Sequence, residues 1–122
     1  MKGRNNMFLL DEASKCLLCK NPRCKVGCPI NTPIPEIITL YKEGKLKEAG
    51  EILFNNNPLS VICSIVCPHE NQCEGNCVRG IKGKPIQFYK IEKEISKRYL
   101  DEVKFKNISK TKDRIAIIGG GP

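Results

Sequence analysis

The segment CLLCKNPRCKVGCP (residues 16–29) holds four cysteines and decides how the rest of this chain folds. It is too rich in Cys, Pro, Lys and Gly for a long regular element, so we predict a loop that wraps around a bound group. A second segment, CSIVCPHENQCEGNC (residues 63–77), supplies four more cysteines. Each segment contains one Cys-Pro pair, Cys28-Pro29 and Cys67-Pro68. The fold and the function therefore depend on what binds these eight sulfurs.

The bulk composition favours a small cytoplasmic domain. A chain of 122 residues is expected to form one compact domain. The apolar run near its start, MFLL, is too short for a secretory signal, and no stretch approaches the length of a membrane span. In a reducing compartment, closely spaced cysteines indicate metal or redox chemistry before disulfides.

The formal net charge of +8 raises the question of nucleic-acid binding. The chain contains four Phe, three Tyr and no Trp, and its basic residues do not alternate with aromatic ones. No recognisable nucleic-acid-binding module is present. We therefore interpret the charge as a solvated basic surface, with neither nucleic acid nor a membrane as partner.

Three stretches between and after the cysteine segments show helical patterns. NTPIPEIITLYKEG predicts a helix capped by Thr32, with Pro33 at the first helical position and Gly44 at its end. KLKEAGEILFNNNP predicts a second helix, and the short connection makes the pair an αα-hairpin. PLSVICSIVCP is apolar enough for a buried helical turn or two, although its length also permits a strand.

The longest predicted helix covers residues 85–103 and begins with Pro85. At about 100° per residue, one face of it forms an apolar stripe of Phe88, Ile91, Ile95 and Tyr99. Glu92 lies about 40° from Phe88, inside this stripe. A carboxylate in that position either reaches solvent at the edge of the stripe or has a partner.

Shifts in composition predict the domain organisation. Residues 1–15 are expected to be a loose lead-in, 16–103 the cysteine-rich helical domain, and 104–113 a basic linker. RIAIIGGGP (residues 114–122) is typical of the strand and glycine turn that open a dinucleotide-binding domain. The motif stops before its third glycine and its helix, so we expect a truncated domain. A C-terminal strand with a flexible tail is the alternative.

Three interpretations compete for the cysteines. Disulfides fit the even number but not the reducing compartment. Two four-cysteine zinc sites fit the count and would make the chain a zinc-stabilised interaction domain without a redox role. Structural zinc, however, usually takes two C-x2-C knuckles, and only Cys16 and Cys19 form one. The third interpretation is a pair of 4Fe-4S clusters, which thiolates hold through closely spaced cysteines in loops.

The Cys-Pro pairs favour two interlocked clusters. In bacterial ferredoxins the cysteine that precedes proline ligates the other cluster. By that logic the first three cysteines of the first segment hold one cluster, Cys28 starts the second, and the 63–77 segment completes both. Cys63 lies in an apolar run, where a cysteine is often a small buried hydrophobe. If Cys63 is not a ligand, Glu92 is a candidate for the vacancy, and the residues alone leave this choice open.

Three further stretches carry a resemblance to a known family. CLLCKNPRCKVGCPINTPIPEII, NNPLSVICSIVCPHENQCEGNCVRG and KPIQFYKIE, followed by RIAIIGGGP, resemble the N-terminal iron–sulfur domain of the glutamate synthase small chain. Related domains open dihydropyrimidine dehydrogenase and a subunit of NADH-dependent ferredoxin:NADP oxidoreductase. The resemblance runs from about Cys16 to Pro122 and implies an all-α, ferredoxin-like helical domain with two 4Fe-4S clusters.

The resemblance also implies two ligand sets and a non-ligand cysteine, Cys63. The fourth ligand of the second cluster is a Gln or Glu in this family, and Glu92 falls at its position. The first implied set is Cys16, Cys19, Cys24 and Cys77. The second implied set is Cys28, Cys67, Cys73 and Glu92.

What surrounds the domain is likewise implied by the resemblance. The family's next domains bind FAD and NAD(P)H, and only the strand and glycines of the first are present here. A second redox subunit is expected as partner in addition to the flavin and nicotinamide domains. We expect the fragment to be part of an oxidoreductase without catalytic residues of its own. His69 is expected to be a loop residue that packs or caps.

Overall fold

The structure is a computed structural model that describes residues 9–103, 110 and 112–120. Within these ranges every regular element is helical, which confirms the prediction of an all-α domain. The α-helices are α1 (described over 9–14), α2 (Arg23–Gly27), α3 (Ile34–Lys42), α4 (Leu46–Asn56), α5 (Ser60–Val66) and α6 (Phe88–Glu102). Three 3₁₀ turns lie between α5 and α6, at His69–Asn71, Glu74–Asn76 and Val78–Ile81.

Helix α6 forms the centre of the domain and packs against α3, α4 and α5. Its predicted apolar stripe is confirmed for three residues, because Phe88, Ile91 and Ile95 are all buried. They meet the buried side chains Ile37, Ile38 and Leu53 from α3 and α4. Burial of such side chains contributes roughly 1.5–3 kcal/mol each, so this apolar contact holds the helical frame together.

The predicted αα-hairpin is confirmed, but the start of its first helix is not. Helix α3 begins at Ile34, and Pro33 precedes it as the flanking residue. Thr32 makes no capping hydrogen bond because its buried hydroxyl contacts Asn56 and Cys28 instead. The turn to α4 uses Gly44 at a φ of 78°, a left-handed conformation that glycine adopts without strain.

Two further helix predictions need correction. Helix α6 starts at Phe88 and not at Pro85, because the chain before it is irregular and the backbone N–H of Gln87 is bonded to Glu12. The PLSVICSIVCP stretch does form a helix, α5, but its apolar side chains are not buried. Ser60 and Ser64 face inward, and the Ser60 hydroxyl lies 2.6 Å from that of Ser96 on α6. The exposed side chains of α5 are Ile62, Ile65 and Val66.

The two ends of the chain also differ from expectation. Residues 9–15 are not a loose lead-in: α1 buries Leu9 and Ala13, and its Glu12 carboxylate accepts the hydrogen bond from Gln87 at 3.0 Å. Residues 1–8 and most of the predicted linker lie outside the described residues. The strand predicted in 114–122 is not confirmed, since residues 112–120 have no regular structure. In the described part of the chain, no helix has the length and apolarity needed to cross a membrane.

Candidate metal centre

The first cysteine-lined cavity lies at the N-terminal side of α3. Its wall includes Cys16, Cys19, Cys24 and Cys77, the four residues of the first predicted ligand set, together with Cys73. The remaining wall is largely apolar, with Ile34, Ile38, Ile86 and Phe88 among its side chains. The structure therefore brings residues from both cysteine segments to one sulfur-rich space.

Close backbone packing holds the two cysteine segments together. Helix α2, which follows the C-x2-C knuckle, contacts the Glu74–Asn76 turn. Gly27 at the end of α2 lies against the side chain of Asn76, so that a β-carbon there would collide with it. Gly75 lies equally close to the carbonyl of Glu70. Glycine at position 27 lets the first segment approach the second closely enough to share one site, and glycine at position 75 lets the second segment fold tightly on itself.

The thiols of the first cavity sit in apolar surroundings. Burial raises the pKa of the Cys24 thiol to about 11 and also raises the pKa of Cys16. Backbone N–H groups donate to two of the sulfurs at 3.5 Å, from Leu18 to Cys16 and from Ile86 to Cys77. A bound cation would offset the free-energy cost of removing the thiol protons, and the N–H donors would stabilise the resulting thiolates.

The second cavity lies between α5, α6 and the chain after α2. Its wall includes all four residues of the second predicted set: Cys28, Cys67, Cys73 and Glu92. Burial, followed by the neighbouring Cys63, raises the pKa of the Cys67 thiol to about 11. Burial also raises the pKa of Cys73 to about 12, with a further contribution from the carboxylate of Glu92.

Among the described residues, Glu92 is the one carboxylate on this wall, and it is 7% exposed. Burial raises its pKa to about 7 and is the only cause of the shift, so no cation or donor in the described residues offsets it. Glu94, two residues further along α6, does have partners. It accepts a hydrogen bond from Tyr41 at 2.8 Å and forms an ion pair with Arg98 at 3.1 Å. A buried carboxylate without a partner, on a wall with four cysteines, suits a site that binds a positively charged group.

Cys63 does not pack in the apolar core, contrary to the expectation for a small buried hydrophobe. It is half-buried on α5 and lines the second cavity together with Glu92. The side-chain amide of Asn57 donates to its sulfur at 3.1 Å. Both candidates for the eighth ligand thus lie on the same wall.

His69 also lines the second cavity, and it packs in the way expected of a loop residue. Its ring stacks on Tyr89 of α6 with a centroid distance of 4.3 Å and an interplanar angle of 17°. Its Nε2 atom lies 3.2 Å from the carbonyl oxygen of Cys63. These contacts join the Cys67-Pro68 turn to α5 and α6.

The two cavities are neighbours that share part of their walls. Ile34, Cys73 and Phe88 line both of them. Thiolates are the ligands that iron–sulfur clusters take, and a cluster is held at four separate corners. Among the described residues, no group of three or more His, Cys, Asp or Glu side chains has the spacing of a single-ion site. Five cysteines line the first cavity, and four cysteines with one carboxylate line the second, with Cys73 counted in both; donors of this kind fit iron–sulfur chemistry.

Two features of this site are not predicted by the sequence. Thr32 was expected to cap α3, yet its hydroxyl lies 3.3 Å from the Cys28 sulfur inside the second cavity. Cys73 was assigned to the second site alone, although it lines both cavities. The Thr-Pro pair before an apolar helix is an ordinary capping signal, so nothing in the sequence indicated the contact between the Thr32 hydroxyl and the Cys28 sulfur.

Comparison with known proteins identifies the kind of cluster domain. A family profile described as dihydropyrimidine dehydrogenase domain II, 4Fe-4S cluster, matches residues 2–107. The glutamate synthase (NADPH) small chain of Escherichia coli K12 is 32% identical over 114 residues, covering 91% of this chain and 24% of that protein. The homolog of the NAD-dependent dihydropyrimidine dehydrogenase subunit PreT in Salmonella typhi is 33% identical over 122 residues, covering 98% of this chain and 30% of that protein.

A third relative, the putative oxidoreductase UacF of Escherichia coli K12, is 31% identical over 115 residues, covering 91% of this chain and 18% of that protein. The chain therefore spans less than a third of the length of these relatives. The family is an iron–sulfur one, which sets aside the zinc and disulfide interpretations of the cysteine pattern. The chain belongs to the family of 4Fe-4S electron-transfer domains represented by domain II of dihydropyrimidine dehydrogenase.

Proposed function

We propose that this domain carries two 4Fe-4S clusters and conducts electrons between the flavin of a larger oxidoreductase and a redox partner. The observation that carries the proposal is the pair of adjacent cavities, each lined by donors from both cysteine segments. Bound clusters would supply one-electron storage and transfer, chemistry that no side chain of the domain can perform alone.

The proposed ligand sets follow the walls of the two cavities. The first cluster is held by Cys16, Cys19, Cys24 and Cys77. The second cluster is held by Cys28, Cys67, Cys73 and Glu92. In the second set, Glu92 supplies a carboxylate whose burial cost is met by the positive charge of iron.

The other residues of the site exclude water and fix the ligands. Ile34 and Phe88 form an apolar wall common to both cavities, which shields the sulfurs and lowers the local dielectric constant. The stack of His69 on Tyr89 holds the chain just after Cys67 against α6. Two redox groups in adjacent cavities that share an apolar wall can pass an electron from one to the other.

We further propose that the domain belongs to a cytoplasmic, NAD(P)H- and FAD-dependent oxidoreductase of the glutamate synthase small-chain type. The motif RIAIIGGGP at 114–122 supports this, since it is typical of the strand that opens an FAD-binding domain. The names of the relatives, which include NADPH- and NAD-dependent enzymes, support it as well. Catalytic groups and the nicotinamide site then lie in domains beyond 16–103, and a second redox subunit accepts the electrons.

Anaerobic reconstitution with iron and sulfide tests the proposal. The chain should become brown and retain about eight irons and about eight acid-labile sulfides. Electron paramagnetic resonance after reduction should show two interacting centres. Retention of about four irons would disprove the second site, and stoichiometric zinc without iron after expression and reconstitution would disprove the proposal altogether.

A further inference from the structure

A short chain of side-chain hydrogen bonds ends on a sulfur of the second cavity. The side-chain amide of Asn56, at the end of α4, donates to the Thr32 hydroxyl with a distance of 3.3 Å. The same hydroxyl lies 3.3 Å from the sulfur of Cys28. Thr32 is 3% exposed and lines the cavity, so this contact is shielded from water.

The backbone after Cys28 is bent so that this contact can form. The N–H of Asn31 donates to the carbonyl of Cys28 at 2.9 Å, which closes a tight turn over Pro29 and Ile30. Asn31 adopts a φ of 51°, a left-handed conformation that asparagine tolerates better than most residues. The turn returns the chain on itself and places the Thr32 side chain beside the sulfur four residues earlier.

The chemistry of the partners determines which atom is the donor in the contact between Thr32 and Cys28. Asn56 donates to the Thr32 oxygen, which leaves the hydroxyl proton available for another acceptor. A thiolate bound to iron has no proton to give, so Thr32 must be the donor to Cys28. Such a bond withdraws charge from the sulfur and stabilises the more negative, reduced state of a cluster.

We propose that Thr32, oriented by Asn56, is a positioning residue that donates a hydrogen bond to the Cys28 thiolate and raises the reduction potential of the second cluster. This inference rests on the proposed function, because it needs Cys28 to be a cluster ligand. At the first cavity the sulfurs of Cys16 and Cys77 receive their hydrogen bonds from backbone N–H groups. A side-chain substitution at Thr32 therefore acts on one cluster and leaves the donors of the other in place.

The test compares reduction potentials in the reconstituted full chain. Redox titration followed by electron paramagnetic resonance gives one midpoint potential for each cluster. In Thr32→Val, which keeps the side-chain volume and removes the donor, one potential should move to a more negative value while the other stays. Thr32→Ser, which keeps the hydroxyl, should restore it. Thr39→Val is the matched control, since the Thr39 hydroxyl bonds to the Pro35 carbonyl within α3.

Asn56→Ala provides an independent arm if Thr32→Val does not hold its clusters. Asn56 is exposed, so its truncation is tolerated, and the same potential should move in the same direction by a smaller amount. The inference is overturned if both clusters are present and neither variant moves either potential, or if Thr39→Val has the same effect. A wild-type chain that holds only one cluster by iron analysis would instead refute the proposed function, and this inference with it.

Discussion

Replacement of Glu92 by leucine tests whether Glu92 is a cluster ligand or a residue with only a packing role. Burial raises the pKa of the carboxyl from its ordinary value of 4.5 to about 7. At 1.36 kcal/mol per pH unit, the ionised group costs the fold roughly 3 kcal/mol above pH 7. This is a large fraction of the roughly 5–15 kcal/mol by which a domain is usually stable. A side chain with only a packing role would be replaced by leucine with a gain in stability.

In the protein reconstituted with iron and sulfide, we expect the leucine substitution to cause the loss of one cluster. Glu92→Leu should retain about four irons after reconstitution where the wild type retains about eight. Glu92→Gln should retain both clusters, because its carbonyl oxygen can still ligate iron. Iron and sulfide analysis, with electron paramagnetic resonance of the reduced protein, provides the measurement.

Two control variants make this result specific. Cys63→Ala removes the other candidate ligand on the same wall and should leave about eight irons. Glu94→Gln removes a carboxylate of the same helix that is bonded to Tyr41 and Arg98, and it should also leave the iron content unchanged. If Cys63→Ala loses a cluster while Glu92→Leu keeps both, the assignment of the eighth ligand is wrong.

Three further predictions test the first site and the helical frame. Cys16→Ala should lose about half of the iron, and a retained full complement would exclude Cys16 as a ligand. Gly50→Ala should lower the free energy of unfolding by about 1–3 kcal/mol in thermal denaturation. The reason is that a β-carbon at position 50 would lie 2.6 Å from the β-carbon of Tyr99. An unchanged midpoint temperature would contradict the close approach of α4 and α6. Ile91→Ala, at a fully buried position, should cost about 2–5 kcal/mol in the same assay.

The sequence predicted the helical frame well where periodicity and burial coincide. Ile91 and Ile95 repeat at helical spacing, and they are buried because α6 packs on three other helices. The same logic failed for α5, whose apolar residues Ile62 and Ile65 are exposed while Ser60 is buried. Composition alone cannot tell which side of a short helix faces a neighbour, since that is fixed by the contact with α6.

The position of the cysteines was predictable from the sequence, but their surroundings were not. The spacing predicted that Cys28 leaves the first site, and the family resemblance implied that Cys77 joins it; Cys28 lines the second cavity and Cys77 lines the first. The hydroxyl of Thr32 was assigned to a helix cap, because capping is a local interaction and can be read from neighbouring residues. Its contact with Asn56 joins positions 24 residues apart, and only the folded chain brings them together.

Cys73 shows why the two sites form one unit. It is the one buried cysteine of the eight, and it lines both cavities. Burial is the largest cause that raises the pKa of its thiol, and the charges of Glu92, Cys28 and Cys24 raise this pKa further. Members of both proposed ligand sets therefore act on the same sulfur. Two of these neighbours come from the first cysteine segment and one comes from α6. Both cavities are therefore built from the same three parts of the chain, the two cysteine segments and α6, and these parts meet at this sulfur.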